Sequence, residues 1–135
     1  MKTILITGST DGIGKLAASS LATYGHRVII HGRNKAKLEN VISEIRNKTG
    51  NQEIQGFTAD LSNIDNIRSL AEEIYNSEDS IDVLINNAGV YMTNESKNAQ
   101  GLDMRFMVNY LAPYLLTNHL LNLYQGNIER IINLS

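Results

Sequence analysis

A chain of 135 residues fits one domain and is long enough to bury a real core. Its 12 lysines and arginines against 14 acids leave a net charge of -2, which gives no long-range pull toward nucleic acid or anionic lipid. With 0 cysteines, disulfides, thiolate catalysis and cysteine metal sites are excluded.

Met1-Lys2-Thr3 leads into an apolar run too short for a signal peptide, and no apolar stretch approaches a membrane span. A soluble, cytoplasmic protein is the expectation. Ile4-Leu5-Ile6 reads as a first strand, running into Thr7-Gly8-Ser9-Thr10-Asp11-Gly12-Ile13-Gly14. A strand that ends in glycines can turn sharply and present unpaired helix-start N–H groups to a phosphate. Ile13, Leu16, Ala17, Ser20, Leu21 and Tyr24 follow at helical spacing, which predicts that this face packs on a sheet. Strand, loop and helix together favour a phosphate cradle over an ordinary strand-to-helix turn.

Arg27 to His31 reads as a second strand, and Leu38, Val41, Ile42 and Ile45 mark a second helix ending near Gly50. Glu53 to Thr58 is a third strand; Ile64, Ile67, Leu70, Ala71 and Ile74 give a third helix, capped by Ser62 or Asn63. Ile81 to Asn86 is a fourth strand, whose continuous Val83-Leu84-Ile85 suits a parallel strand covered on both faces. A polar loop from Met92 to Gln100 precedes a long helix from about Gly101 to Tyr124, and Arg130 to Leu134 makes a fifth strand. This alternation implies an α/β fold with a doubly wound parallel (Rossmann-like) sheet, strand order 3-2-1-4-5, with ligand at the carboxyl ends of the strands.

The spacing Thr7-Gly8-x-x-x-Gly12-Ile13-Gly14, combined with Asn86-Asn87-Ala88-Gly89 closing the fourth strand, resembles the short-chain dehydrogenase/reductase family. Ala59-Asp60-Leu61-Ser62 and Val108-Asn109-Tyr110-Leu111 extend the resemblance over essentially the whole chain. Leu84 to Tyr91 and Tyr114-Leu115-Leu116-Thr117 are most similar to a branch of retinol-dehydrogenase-like reductases. The resemblance implies that Gly8, Gly12, Ile13 and Gly14 line the diphosphate of a nicotinamide dinucleotide, with Ser9 and Asp11 in the same loop. It further implies that Asp60 and Leu61 flank the adenine and that Asn87, Ala88 and Gly89 run beside the riboses. Bland readings stand beside these: Asp60 as a loop cap, Asn86 bonding backbone of neighbouring strands, and Asn87 to Gly89 as a plain turn.

NAD sites carry an acid after the second strand to bind ribose hydroxyls, whereas this chain reads His31-Gly32-Arg33-Asn34, with Lys35 and Lys37 beyond. That favours NADP(H) over NAD(H), with Arg33 on the 2′-phosphate and Gly32 clearing space for it, against a solvated Arg33 before a helix capped by Asn34. Asp11 must point away from the phosphates or bind a ribose hydroxyl. Asn109 shares an apolar stripe with Leu102, Phe106, Pro113, Leu116 and Leu120, so its amide needs buried partners. Pro113 lacks the N–H that would bond the Asn109 carbonyl, which predicts a helix break at Asn109 to Pro113. In the family the matching asparagine helps hold a water in the proton relay, the one catalytic role the resemblance assigns here.

The family's proton carrier is a tyrosine in Tyr-x-x-x-Lys, and none of the 6 tyrosines has a lysine at that spacing. Ser135 falls one position before the family's catalytic serine and reads as the end of the strand. Later strands of the family fold are absent, leaving the fifth as an edge. Residues 1–135 are therefore expected to form a single dinucleotide-binding domain, shortened at its C-terminus relative to the family and catalytically incomplete. Its substrate in a complete enzyme would be a small-molecule carbonyl or alcohol. The alternative is a non-catalytic NADP(H)-binding or interaction module. The 101–124 helix is expected either to pair with its copy in a homodimer, as the resemblance implies, or to pack within its own chain. No metal site is expected, because His26, His31 and His119 are scattered and read as turn, strand-end or helix-surface residues.

Overall fold

The computed structural model describes residues 1–90 and 94–134. Tyr91, Met92 and Thr93, in the branch motif and the start of the expected polar loop, lie outside the described residues, as does Ser135. In chain order the elements are β1 (Thr3–Ile6), α1 (Gly12–Thr23), β2 (Arg27–Gly32), α2 (Lys35–Thr49), β3 (Ile54–Thr58), α3 (Ile64–Ser77) and β4 (Val83–Asn86). Then follow a helical turn α4 (Met104–Phe106), a π-helical turn (Met107–Leu111), α5 (Ala112–Leu123) and β5 (Arg130–Asn133).

All five strands pair in parallel, in the order β3-β2-β1-β4-β5. β1 is central because Ile4, Leu5 and Ile6 are apolar on both faces, which only a strand covered from both sides can bury. Leu5, Ile29 and Leu84 point to one face, where they meet Ile67, Leu70 and Ile74 of α3 and Leu116 and Leu120 of α5. Ile4, Ile6, Val28, Ile30 and Ile54 point to the other, against Ala18 and Ala22 of α1 and Leu38, Val41 and Ile45 of α2. The chain winds from β1 outward to β3 and then returns to place β4 on the opposite flank of β1. The order therefore reverses between β1 and β4, and a crevice opens at their carboxyl ends.

Three expectations change. Ile13, Leu16 and Tyr24 of the first helical segment are exposed, while Gly14, Ala18 and Ala22 are buried. Small residues at a four-residue interval let α1 approach the sheet closely, so the larger apolar side chains cannot lie underneath. Second, Val83 and Ile85 are only half-buried, because they sit toward the β5 edge on the α1 face. Third, the long helix starts at Met104, and its apolar stripe is Met107, Val108, Ala112, Leu116 and Leu120, with Phe106 exposed. The break falls where Pro113 predicts it, but takes the form of a π turn in which the Ala112 N–H bonds the Met107 carbonyl. That wider turn shifts the register of everything before it. Among the described residues no helix is long and apolar enough to cross a membrane.

Candidate functional site

The backbone leaving β1 crosses the backbone leaving β4 at contact distance. Gly8 takes φ of 61°, and a Cβ there would fall 2.8 Å from the Ala88 Cα. A Cβ on Gly14 would lie 2.4 Å from the Gly8 carbonyl oxygen and 2.5 Å from Asn87 Nδ2. Side chains at either position would push the two loops apart. They are tied by the buried Thr7 hydroxyl, which accepts from the Asn87 and Ala88 amides at 3.0 and 3.1 Å, while Asn87 Nδ2 donates to the Gly8 carbonyl at 3.0 Å. Sequence reasoning quoted Thr7 only as the start of a motif; its position beside two strand ends was the available signal.

Asp11 occupies the N-cap position of α1 in extended conformation, yet its side chain caps nothing. Instead its carboxylate pairs with Lys37 of α2, and the hydrogen bond and charge of that lysine hold its pKa below the ordinary carboxylate value. Three other helix starts behave differently: Asn34 accepts from the Lys37 amide at 2.9 Å, Asn63 from the Asp65 and Asn66 amides, and Asp103 from the Phe106 amide at 3.0 Å. α1 alone among α1, α2 and α3 begins without a side-chain cap. The first-turn amides of Gly12, Ile13 and Gly14, at the positive end of the helix dipole, are left for an anion. Asp11 thus points away from the loop's centre, one of the two arrangements its charge allowed.

A cleft of about 710 Å³ lies over these strand ends, a volume in the range of small-molecule sites. Gly8, Asp11, Arg33, Asp60 and Leu61 line it, with Asn87, Ala88 and Gly89. The other expected residues do not form its walls. Gly12, Ile13 and Gly14 sit at its helix end, and Ser9 is fully buried, its hydroxyl donating to the Ile6 carbonyl at 2.8 Å and accepting from the His31 amide at 2.9 Å. Ser9 therefore shapes the loop from within. Asp60 accepts from the Ser62 amide and hydroxyl, which fits the loop-capping reading while leaving the residue exposed at the cleft.

Arg33 is exposed after β2, and among the described residues no hydrogen bond or ion pair occupies its guanidinium. Gly32 lines the cleft and packs under Thr10, since a Cβ there would meet Thr10 Cγ2 at 2.6 Å. Asn109 is half-buried and bonds the Val90 backbone twice, Oδ1 accepting from N–H at 2.7 Å and Nδ2 donating to the carbonyl at 2.8 Å. The amide thus substitutes for a strand partner and fixes the chain just beyond Gly89. Asn86 joins β4 to side chains, donating to Asn133 Oδ1 at 2.9 Å and Thr117 Oγ1 at 3.1 Å, and not to backbone of the neighbouring strands. Asn98, unmarked in the sequence, is buried and pins the far wall: it donates to the Ser62 carbonyl and accepts from the Leu102 amide, both at 2.8 Å. Among the described residues no group of three or more His, Cys, Asp or Glu could hold a metal ion.

Open helix-start amides beside two backbone loops held in contact fit the diphosphate of a dinucleotide. A family model described as short chain dehydrogenase matches residues 2–135. Human retinol dehydrogenase 13 is 39% identical over 135 residues, covering 99% of this chain and 41% of that protein. Human retinol dehydrogenase 11 is 42% identical, covering 99% of this chain and 42% of its own length. Among solved structures, a metagenomic short-chain oxidoreductase in complex with NADP superposes with a TM-score of 0.83 at 31% identity, covering 99% of this chain and 62% of the other. The chain spans about two fifths of the length of these curated relatives.

Proposed function

The chain belongs to the short-chain dehydrogenase family, and from that premise we propose that residues 1–135 are the NADP(H)-binding part of an oxidoreductase acting on an apolar carbonyl or alcohol. The observation that carries the reading is the uncapped start of α1 opening into a cleft whose other charged wall holds Arg33. The amides of Gly12, Ile13 and Gly14 hold the diphosphate. Arg33 forks onto the 2′-phosphate, in a chain with no acid directly after β2. Asp60 and Leu61 flank the adenine, and Asn87, Ala88 and Gly89 run along the riboses. Asn109 keeps Val90 in place, holding the end of that loop against the π turn. The bound dinucleotide supplies or accepts the hydride. Support for the phosphate preference comes from the NADP in the superposed oxidoreductase, and support for an apolar alcohol from the names of the two relatives.

No tyrosine in these residues stands four before a lysine, so the proton exchanged with substrate has no carrier among them. A polypeptide of residues 1–135 is expected to bind NADPH and reduce no carbonyl. The second reading is a non-catalytic nucleotide-binding or interaction module; measurable turnover by the polypeptide removes it. The deciding experiment for the first reading is fluorescence titration with NADPH and NADH. NADPH binds tighter, and Arg33→Ala removes the preference at a cost of about tenfold in NADPH affinity; equal affinities in the parent chain overturn it. Phe106, Tyr110 and Tyr114 stand exposed along α4, the π turn and α5, and support pairing of two copies through this face. Sedimentation that shows only monomer removes that part.

A further inference from the structure

His31 ends up in the middle of the site, although sequence reasoning set it aside. It is 2% exposed, and its backbone is locked to Ser9, whose amide donates to the His31 carbonyl at 2.9 Å. The ring spans two segments that both face the cleft. Nδ1 accepts from the Gly8 amide at 3.0 Å, and Nε2 lies 2.9 Å from the Ala59 carbonyl.

The partners dictate where the proton sits. A backbone N–H only donates, so Nδ1 is bare; a carbonyl only accepts, so Nε2 carries hydrogen. A second proton, on Nδ1, would set two donors face to face. Gly8 is the residue wedged against Ala88 and tied to Asn87, and Ala59 immediately precedes Asp60 and Leu61. One imidazole therefore spaces the glycine loop from the segment on the adenine side. It also occupies the Gly8 amide, which leaves anion binding to the first turn of α1.

We infer that neutral His31 is a positioning residue for the dinucleotide, its ring holding the glycine loop and the Ala59–Leu61 segment at the separation the ligand requires. This rests on the reading that the cleft takes NADP(H). The charged groups around it are Asp11 in the glycine loop, Arg33 after β2, Asp60 after β3, and Glu95 and Lys97 on the far wall. Burial lowers the His31 pKa most, while the Ala59 carbonyl and the charge of Asp60 act in the opposite sense. The neutral form therefore prevails at neutral pH, and acid puts the loop at risk.

The test uses the 135-residue chain, titrated with NADPH between about pH 5 and pH 8. His31→Phe keeps a ring but strands the Gly8 amide, and binds about tenfold more weakly at neutral pH. His31→Gln offers both an acceptor and a donor; it recovers affinity to within about threefold of the parent and loses the parent's weakening in acid. Parent-like binding by His31→Phe, or an acid profile unchanged in His31→Gln, overturns the inference. Should the phenylalanine variant fail to fold, nitrogen NMR of the parent decides: a hydrogen on Nε2 and a bare Nδ1 support the inference, and the opposite tautomer overturns it. If the parent itself binds no NADPH, the functional reading falls and this one falls with it; if the parent binds and only the variant result fails, the functional reading stands.

Discussion

At the amino ends of the strands, polar groups close on one another, whereas at the carboxyl ends they are left facing a cleft. Arg27, opening β2, donates from Nε and an Nη to both oxygens of Glu78 at 2.6 and 2.7 Å, and also pairs with Glu53. The Glu78 side chain is only 3% exposed, and the Tyr124 hydroxyl donates to its carbonyl at 2.8 Å. Asp82 accepts from the Thr3 amide at 2.7 Å, and Lys2 pairs with Glu129 at the rim. The opposite end carries glycines packed backbone to backbone, a helix start without a cap and an arginine without a partner among the described residues. Satisfied donors stabilise a fold but have nothing left to offer a ligand. The difference between the ends is thus a division of labour between holding the sheet and leaving polar groups open to a ligand.

The strongest way to break this contrast is Gly14→Ala. The new methyl would meet the Gly8 carbonyl and Asn87 Nδ2, so the loops must part; NADPH titration should show binding lost, with a stability cost of about 1–3 kcal/mol in denaturant unfolding. Glu78→Ala acts at the other end. It leaves the Arg27 guanidinium, mostly buried, without its forked partner, and should cost about 2–3 kcal/mol of stability while NADPH affinity stays unchanged. A parallel loss of affinity would show that the two ends are not independent.

Two smaller effects sharpen it. Asn34→Ala removes the cap of α2 and should lower stability by about 1 kcal/mol, whereas Asp11→Ala removes no cap and should leave the thermal midpoint in place. Last is the pH profile. His31 has its folded pKa lowered below the ordinary 6.5, so the unfolded chain binds a proton first. Its contribution is complete above that value and declines as pH falls below it, and His31→Gln should flatten this part of the unfolding curve measured against pH.

Much of this was legible locally. Asn34 and Asn63 cap where short polar residues precede apolar periodicity, and α3 buries Ile67, Leu70, Ala71 and Ile74 as its spacing requires. The glycine loop and Asn87-Ala88-Gly89 do meet, because β1 and β4, read as parallel neighbours in the order 3-2-1-4-5, leave their following loops on the same edge. Less legible was anything that depended on distance between elements. Ile13 and Leu16 look like core by periodicity, but α1 lies too near the sheet to cover them. Asn98 and His31 carry no motif, and their roles arise only when Ser62, Gly8 and Ala59 are brought beside them.

By itself, then, the sequence determined which segments become strands and helices, where helices start, and that a glycine-bearing loop faces a second small-residue loop at the sheet's reversal. The elements and helix starts follow from backbone and side-chain preferences acting over a few residues, and the facing loops from the alternation of strands and helices, which makes the sheet parallel. Only the tertiary structure decided which face of α1 is buried, how Pro113 is accommodated as a π turn, and which way Asp11 and the His31 ring point. Each of these is set by the closest approach of groups far apart in the chain, a quantity that no local pattern encodes.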